Sequence, residues 1–309
     1  MQALESYAPG RRFVFSSLKP FRARDARWVL RAKERGHPNS FVCKTSARTE
    51  GATIRLKRQY QRQAEMASLM PSPKYRVPDT LAFDTSCNTF IMEDAKGSSV
   101  ADWIKNPSDT SNAPRLFRKS GRWLSKFHAP NLKVCDFNPT PQVNWLRKTV
   151  REELPSGKGD LEAKRLLDLF CQLEAQCEKV RGKATLRTIT HRDFHTGNLV
   201  MKRNGALYGI DFENHNEDEA FRDVFSFLLD AMARIRPNSQ TLSEFNNILT
   251  PFSAAYTTLP IDPSVMLFIQ RAFSLNELRN IHRRKDLSPL KAAKKHILWM
   301  IANSEAPLI

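Results

Sequence analysis

Apolar and polar positions alternate along the first hundred residues as they do in a small sheet carrying one helix. Strand-like runs fall at residues 12–16, 28–32 and 40–45, and the breaker-rich Glu34-Arg35-Gly36-His37-Pro38-Asn39 separates the last two. Leu56, Tyr60, Ala64, Ala67 and Met70 then recur at three- and four-residue spacing. That period predicts a helix over about residues 53–70, which Pro71, Pro73 and Pro78 end. Residues 80–83 and 89–92 read as a hairpin. Beyond Ser98 the helical period takes over, at residues 99–104, 116–128, about 141–153 and 161–180. The second of these carries the stripe Leu116, Phe117, Trp123, Leu124 and Phe127. Four more helices are expected at residues 221–235, 242–256, 263–281 and 287–304. The pattern therefore predicts an α+β chain, with an antiparallel-sheet domain over residues 1–93 and a larger, mainly helical domain over 94–309.

One stretch breaks the helical run. Residues 199–201 and 207–210 are short strands around Asn204-Gly205, a dipeptide that tolerates the positive φ of a two-residue hairpin. His191-Arg192-Asp193 precedes the first strand, Asn198 follows that aspartate by five residues, and Asp211-Phe212-Glu213 follows the second strand. The hairpin brings Asp193, Asn198 and Asp211 toward one end of a rigid element. Phosphoryl transfer from a nucleotide needs such a set: a carboxylate to orient the attacking hydroxyl, and a second carboxylate with an amide oxygen to hold Mg²⁺ against the phosphates.

The spacing H-x-D-x-x-x-x-N followed by I-D-F resembles the catalytic and metal loops of the protein-kinase-like superfamily. With His195 two residues after the aspartate, it is most similar to the aminoglycoside phosphotransferase and choline kinase branch, where the loop commonly reads H-G-D-x-H-x-x-N. Asp223 matches the start of that branch's downstream helix. The resemblance implies a two-lobed kinase-like fold in which Asp193 is the base, His191 braces the loop, and Asn198 and Asp211 hold Mg²⁺. In Phe41-Val42-Cys43-Lys44 the lysine closes an apolar strand as V-A-I-K does in kinases, so Lys44 would hold the α- and β-phosphates of ATP. Glu65, the acid of the following helix, is expected to pair with Lys44. Adenine would meet backbone groups of Glu93 to Ala95, beside Met92. His128 is expected to be a packed or capping histidine. The sequence departs from the pattern at residues 21–27, where the glycine-rich phosphate loop is missing and Arg22 or Arg24 could supply charge instead. Of the acids after Asp211, Glu217, Asp218 and Glu219 read as helix-start acidity, while Glu213 is equally a site residue.

Composition narrows the function classes. At 309 residues, with 41% hydrophobic and 26% charged, the chain can bury a full core. Five scattered cysteines without a C-x-x-C pair speak for reduced thiols rather than a disulfide frame or zinc site. The opening MQALESYAPGRR has no apolar core before its charges, so a cytoplasmic protein is expected, with peripheral contact at an inner membrane face left open. The net charge is +17, of which +9 falls within residues 1–93 and +6 within 271–296. Such a field attracts anions and repels a polycationic aminoglycoside. It leaves open a phosphorylated sugar, a lipopolysaccharide core, an anionic membrane or nucleic acid as partner. Expected is an ATP- and Mg²⁺-dependent phosphotransferase acting on a small-molecule hydroxyl. The alternatives are a pseudokinase that binds nucleotide or an anionic partner as a regulator, and a protein kinase.

Overall fold

The computed structural model describes residues 2–18, 27–105, 113–151, 160–256, 261–284 and 287–309. The chain divides into two compact units, Met1–Ser99 with Asn198–His215, and Val100–Gly197 with Asn216–Ile309. The N-terminal segment of the first unit thus runs to Ser99, against the expected 93, and residues 198–215 return to it.

The first unit begins with a short helix α1 (Gln2–Tyr7), followed by β1 (Phe13–Ser17), β2 (Trp28–Glu34), β3 (Ser40–Thr45), helix α2 (Glu50–Leu69), β4 (Tyr75–Arg76), β5 (Thr80–Asp84), β6 (Thr89–Glu93) and β7 (Ser98–Ser99). Five strands form an antiparallel sheet in the order β1-β2-β3-β6-β5. Strand alternation sorts its residues onto two faces. Val29, Val42, Phe90 and Met92 pack with Leu56 of α2 on one face. Ala32, Cys43 and Ile91 pack with Ala3 and Leu4 of α1 on the other. Phe90 is fully buried, and truncating such a side chain to alanine costs about 3–5 kcal/mol. Burial also pushes the Cys43 thiol up to about 11, so it stays protonated. All five cysteines are free of disulfides.

The second unit opens with α3 (Val100–Ile104), α4 (Ala113–His128), β8 (Lys133–Asp136), α5 (Thr140–Arg151), α6 (Leu161–Ala175), α7 (Cys177–Val180) and β9 (Ala184–Ile189). The helix expected over 161–180 breaks at Gln176, which caps α6 and starts α7. Strands β10 (Leu199–Met201) and β11 (Leu207–Gly209) then form the anticipated hairpin, and in the first unit they make the sheet β4-β11-β10-β7. Gly97 permits this pairing, because a Cβ there would stand 2.2 Å from the Met201 carbonyl oxygen. The second unit resumes with β12 (Glu217–Glu219), α8 (Phe221–Ile235), α9 (Asn246–Tyr256), α10 (Pro263–His282) and α11 (Pro289–Ala302). Strands β12, β9 and β8 form a small antiparallel sheet that the hydrophobic pattern does not predict. Gly121 lets α4 approach α9 closely, since its Cβ would lie 2.4 Å from the Phe252 carbonyl oxygen.

Candidate active site

In the first unit, Lys44 at the end of β3 meets Asp211, just past β11. Lys44 Nζ lies 2.8 Å from Asp211 Oδ1, with side chains only 5% and 15% exposed. At that distance, and an effective dielectric near 20, the attraction is about 6 kcal/mol before desolvation. Much of it offsets the cost of burying both charges, so the pair is a positioning device more than a source of stability. Asn198 sits at the open end of the same hairpin: its carbonyl accepts the Ile210 N–H at 3.0 Å, which places Asp211 at the neighbouring backbone position. Asp211 itself has φ +76°, a left-handed conformation that aspartate tolerates better than most residues. The segment beyond is tied down by Glu213, whose Oε1 accepts from Arg27 Nη1 at 2.7 Å and Gln59 Nε2 at 2.5 Å.

In the second unit, the loop carrying Asp193 is held from both sides of that residue. Before it, the His191 and Arg192 amides donate to the two Asp223 oxygens at 2.6 and 2.8 Å. His128 Nε2 stands 3.0 Å from Asp223 Oδ2, and its Nδ1 is 2.7 Å from the Tyr256 hydroxyl. Burial pushes the Asp223 carboxyl up, but the His128 hydrogen bond and charge, with His191 beside it, hold it below the usual carboxylate range. After Asp193, Phe194 is fully buried and stacks on Trp123 and Phe227 at 5.5 and 5.1 Å between ring centroids. Trp123 stacks in turn on Phe127, and Phe227 on Phe252. Asp193 is therefore an exposed carboxylate, 67% accessible, between two anchored neighbours. His195 Nδ1 accepts the Gly197 N–H at 3.0 Å, which turns Nε2 toward Asp193 Oδ1 at 3.7 Å. Burial lowers the His195 pKa against the pull of the Asp193 and Asp230 charges. Its imidazole is thus biased toward the neutral form, with the ring proton on Nε2.

His191 is packed among Trp123, Phe127 and Phe194 and is 2% exposed. Met92 is buried beside α2, its Sδ 3.1 Å from Gln63 Nε2. The Glu93 side chain joins Lys202 Nζ at 3.0 Å and the Tyr208 hydroxyl at 3.1 Å, while its N–H donates to the Asp79 carbonyl. Ala95 is half-buried within the turn that the Lys96 N–H closes on the Asp94 carbonyl. Beside it a cavity of about 400 Å³ is lined by Arg31, Lys33, Ser40, Asp94, Lys96 and Gly97. Arg31 and Lys33 oppose Val42 and Ser40 across the ladder, so they share the Lys44 face of the sheet. Arg22 and Arg24 lie outside the described residues.

The expected Lys44–Glu65 pair is corrected. Glu65 is exposed and bonds Arg62 Nη1 at 2.9 Å, because the buried face of α2 runs Ala52, Leu56, Gln59, Gln63, Met66. Glu65 lies one residue, about 100°, off that face. Two contributors went unread in the sequence. Gln59 reaches Glu213. Asp230, two turns after Asp223 on α8, accepts from the Thr196 N–H at 3.2 Å and the Thr196 hydroxyl, and binds Lys294 Nζ at 2.6 Å and Arg234 Nε at 2.9 Å. Burial raises the Asp230 carboxyl, but the Lys294 charge and these bonds outweigh it and keep it ionised. The seven-residue spacing to Asp223 was the available signal.

Residues 17–245 match the family model described as the phosphotransferase enzyme family. No curated protein matches the chain by sequence. Among solved structures it is similar to an amicoumacin kinase, hAmiN, in complex with AMP-PNP, Ca2+ and Ami, with 16% identity, TM-score 0.59, and coverage of 99% of this chain and 94% of that one. It is also similar to the choline kinase LicA from Streptococcus pneumoniae, with 14% identity, TM-score 0.56 and coverage of 97% and 96%. A glucosamine kinase gives 14% identity, TM-score 0.55 and coverage of 97% and 82%. At these identities the structures share the kinase-like fold with this chain.

Proposed function

Because the chain belongs to the phosphotransferase enzyme family, we propose that it transfers the γ-phosphoryl group of ATP, with Mg²⁺, to a hydroxyl of a small, anionic or sugar-type molecule. The observation that carries this reading is the 2.8 Å pairing of Lys44 with Asp211, residues 167 positions apart, at the hairpin end that also bears Asn198. Asn198 and Asp211 offer an amide oxygen and a carboxylate, the hard donors that Mg²⁺ takes, so the residues present fit the ion. Bound there, Mg²⁺ would neutralise phosphate charge during transfer.

The remaining work falls to this chain's side chains. Lys44 contributes its charge to the α- and β-phosphates. With the Glu93 N–H engaged by Asp79, the Ala95 N–H is the donor assigned to the adenine edge, and Lys33 and Lys96 leave the adjoining cavity positive, since Arg31 is paired with Asp94 at 2.7 and 3.1 Å. Asp193 orients the acceptor hydroxyl and takes its proton as the phosphoryl group departs ATP. His191 and Phe194 keep that carboxylate in place, and the rate gain comes from positioning and electrostatics. The net charge of +17 supports an anionic or neutral sugar acceptor over a polycation.

Incubating the protein with γ-labelled ATP, Mg²⁺ and a small-molecule extract tests the reading. Label should pass to an extract component with wild type and fall at least about 100-fold in Asp193→Asn and Asp211→Asn. Absence of Mg²⁺-dependent transfer to any fraction, or full activity in Asp193→Asn, would overturn it.

A further inference from the structure

Helix α4 presents two unlike faces. Leu116, Phe117, Trp123, Leu124 and Phe127 are buried. Arg115, Arg118, Arg122 and Lys126, spaced by three or four residues, are exposed on the other side. Their sixteen-residue helix, Ala113–His128, contains no aspartate or glutamate. Over eleven residues the four cations make a stripe about 16 Å long, within about 80° of the helix circumference. Several other exposed cations stand against carboxylates, as in Arg147–Glu174, Lys133–Glu217 and Arg181–Glu178. Among the described residues, no hydrogen bond or ion pair holds any of these four. Like charges one turn apart oppose helix formation, and Arg115 also stands near the positive end of the helix dipole. The arrangement therefore works against the folded chain unless negative charge comes to meet it.

We infer that the α4 face docks the protein on a bilayer surface bearing anionic lipid. A flat array of mobile headgroups can bring a phosphate to each cation of such a stripe, and each lysine or arginine near such a surface strengthens binding about fivefold. Single-stranded nucleic acid fits less well, because it is read by exposed aromatic rings. The aromatic residues of α4 are at most 1% exposed. No described helix is long and apolar enough to cross a membrane, so the contact is peripheral and electrostatic. It does not depend on the phosphotransferase reading.

Co-sedimentation with vesicles of phosphatidylcholine, with and without phosphatidylglycerol, tests this. The full chain should bind only the anionic vesicles, and salt should release it. Replacing the four cations by glutamine (R115Q, R118Q, R122Q, K126Q) should weaken binding several hundredfold, about fivefold per charge. The same number of charges removed from exposed positions elsewhere (K57Q, R58Q, K179Q, R203Q) should leave most of it. Lysine in place of the three arginines should retain binding, which a fold defect in the glutamine variant would not explain. Equal losses in the two glutamine variants would reduce the effect to net charge and overturn the proposal. Binding of duplex or single-stranded DNA through the same residues, without vesicle binding, would also overturn it.

Discussion

Arg192 adopts φ +66°, where a residue with a Cβ costs about 1–2 kcal/mol. The resembling branch commonly has glycine between the histidine and aspartate of this loop. Here the strain is held by the Arg192 amide bonding Asp223, while the guanidinium stands 3.5 Å from Asp218. Comparing Arg192→Gly with Arg192→Ala removes the ion pair from both and isolates the backbone. The glycine variant should be more stable by about 1 kcal/mol, a Tm difference of a few degrees. Equal melting temperatures would mean that the left-handed conformation is not populated. The candidate site residues of this loop can be singled out from the sequence because oxygen donors at fixed spacing around an Asn-Gly turn are visible along the chain. Asp230 was not, because its meaning lies in Thr196 and Lys294, 34 and 64 residues away.

Among the elements, α2 shows where periodicity misleads. Its buried face includes Gln59, Arg62 and Gln63, so a search for apolar spacing settles on Tyr60 and Ala64 and turns the helix by one position. The structure assigns the inward role to Gln59, 3% exposed and bonded to Glu213. Gln59→Ala should cost about 1 kcal/mol and slow phosphotransfer by loosening the segment after Asp211, whereas Glu65→Ala should cost about 1–3 kcal/mol by removing the carboxylate on buried Arg62 and leave phosphotransfer unchanged. Loss of activity in Glu65→Ala alone would restore the first phase. Strand β12 was hidden for a related reason. Glu217-Asp218-Glu219 reads as an acidic helix start, but Glu219 lies opposite Arg187 and Glu217 pairs with Lys133, partners that appear only after the strands assemble. Burial lifts the Glu219 carboxyl to about 7, against the Thr185 hydrogen bond and the Arg187 charge. A raised folded pKa favours the folded state at acid pH, and that stability is lost as pH rises from about 4.3 toward 7. Glu219→Gln should flatten this part of the stability–pH curve, as read by denaturant midpoints across it. An unchanged slope would show that Glu219 is solvated.

At the scale of the whole molecule the charge was fully legible from composition, whereas its placement required the fold. Some cations are spent on carboxylates that build the site, as Arg27 is on Glu213 and Lys294 and Arg234 are on Asp230. Such pairing leaves the net +17 whole, which acts as a field on whatever approaches. Fields of this kind act mainly on encounter, and salt screens them over about 8 Å at physiological ionic strength. For an anionic acceptor, kcat/KM should therefore fall as ionic strength rises, while kcat stays nearly constant because salt screens the long-range attraction far more than the close contacts of the bound complex. A polycationic aminoglycoside offered at the same concentration should be phosphorylated far more slowly, and added salt should raise its kcat/KM. Steady-state assays of a phosphorylated sugar and an aminoglycoside over a salt series separate the cases. Faster turnover of the aminoglycoside at low salt would mean that local carboxylates at the acceptor site, rather than the net charge, choose the substrate.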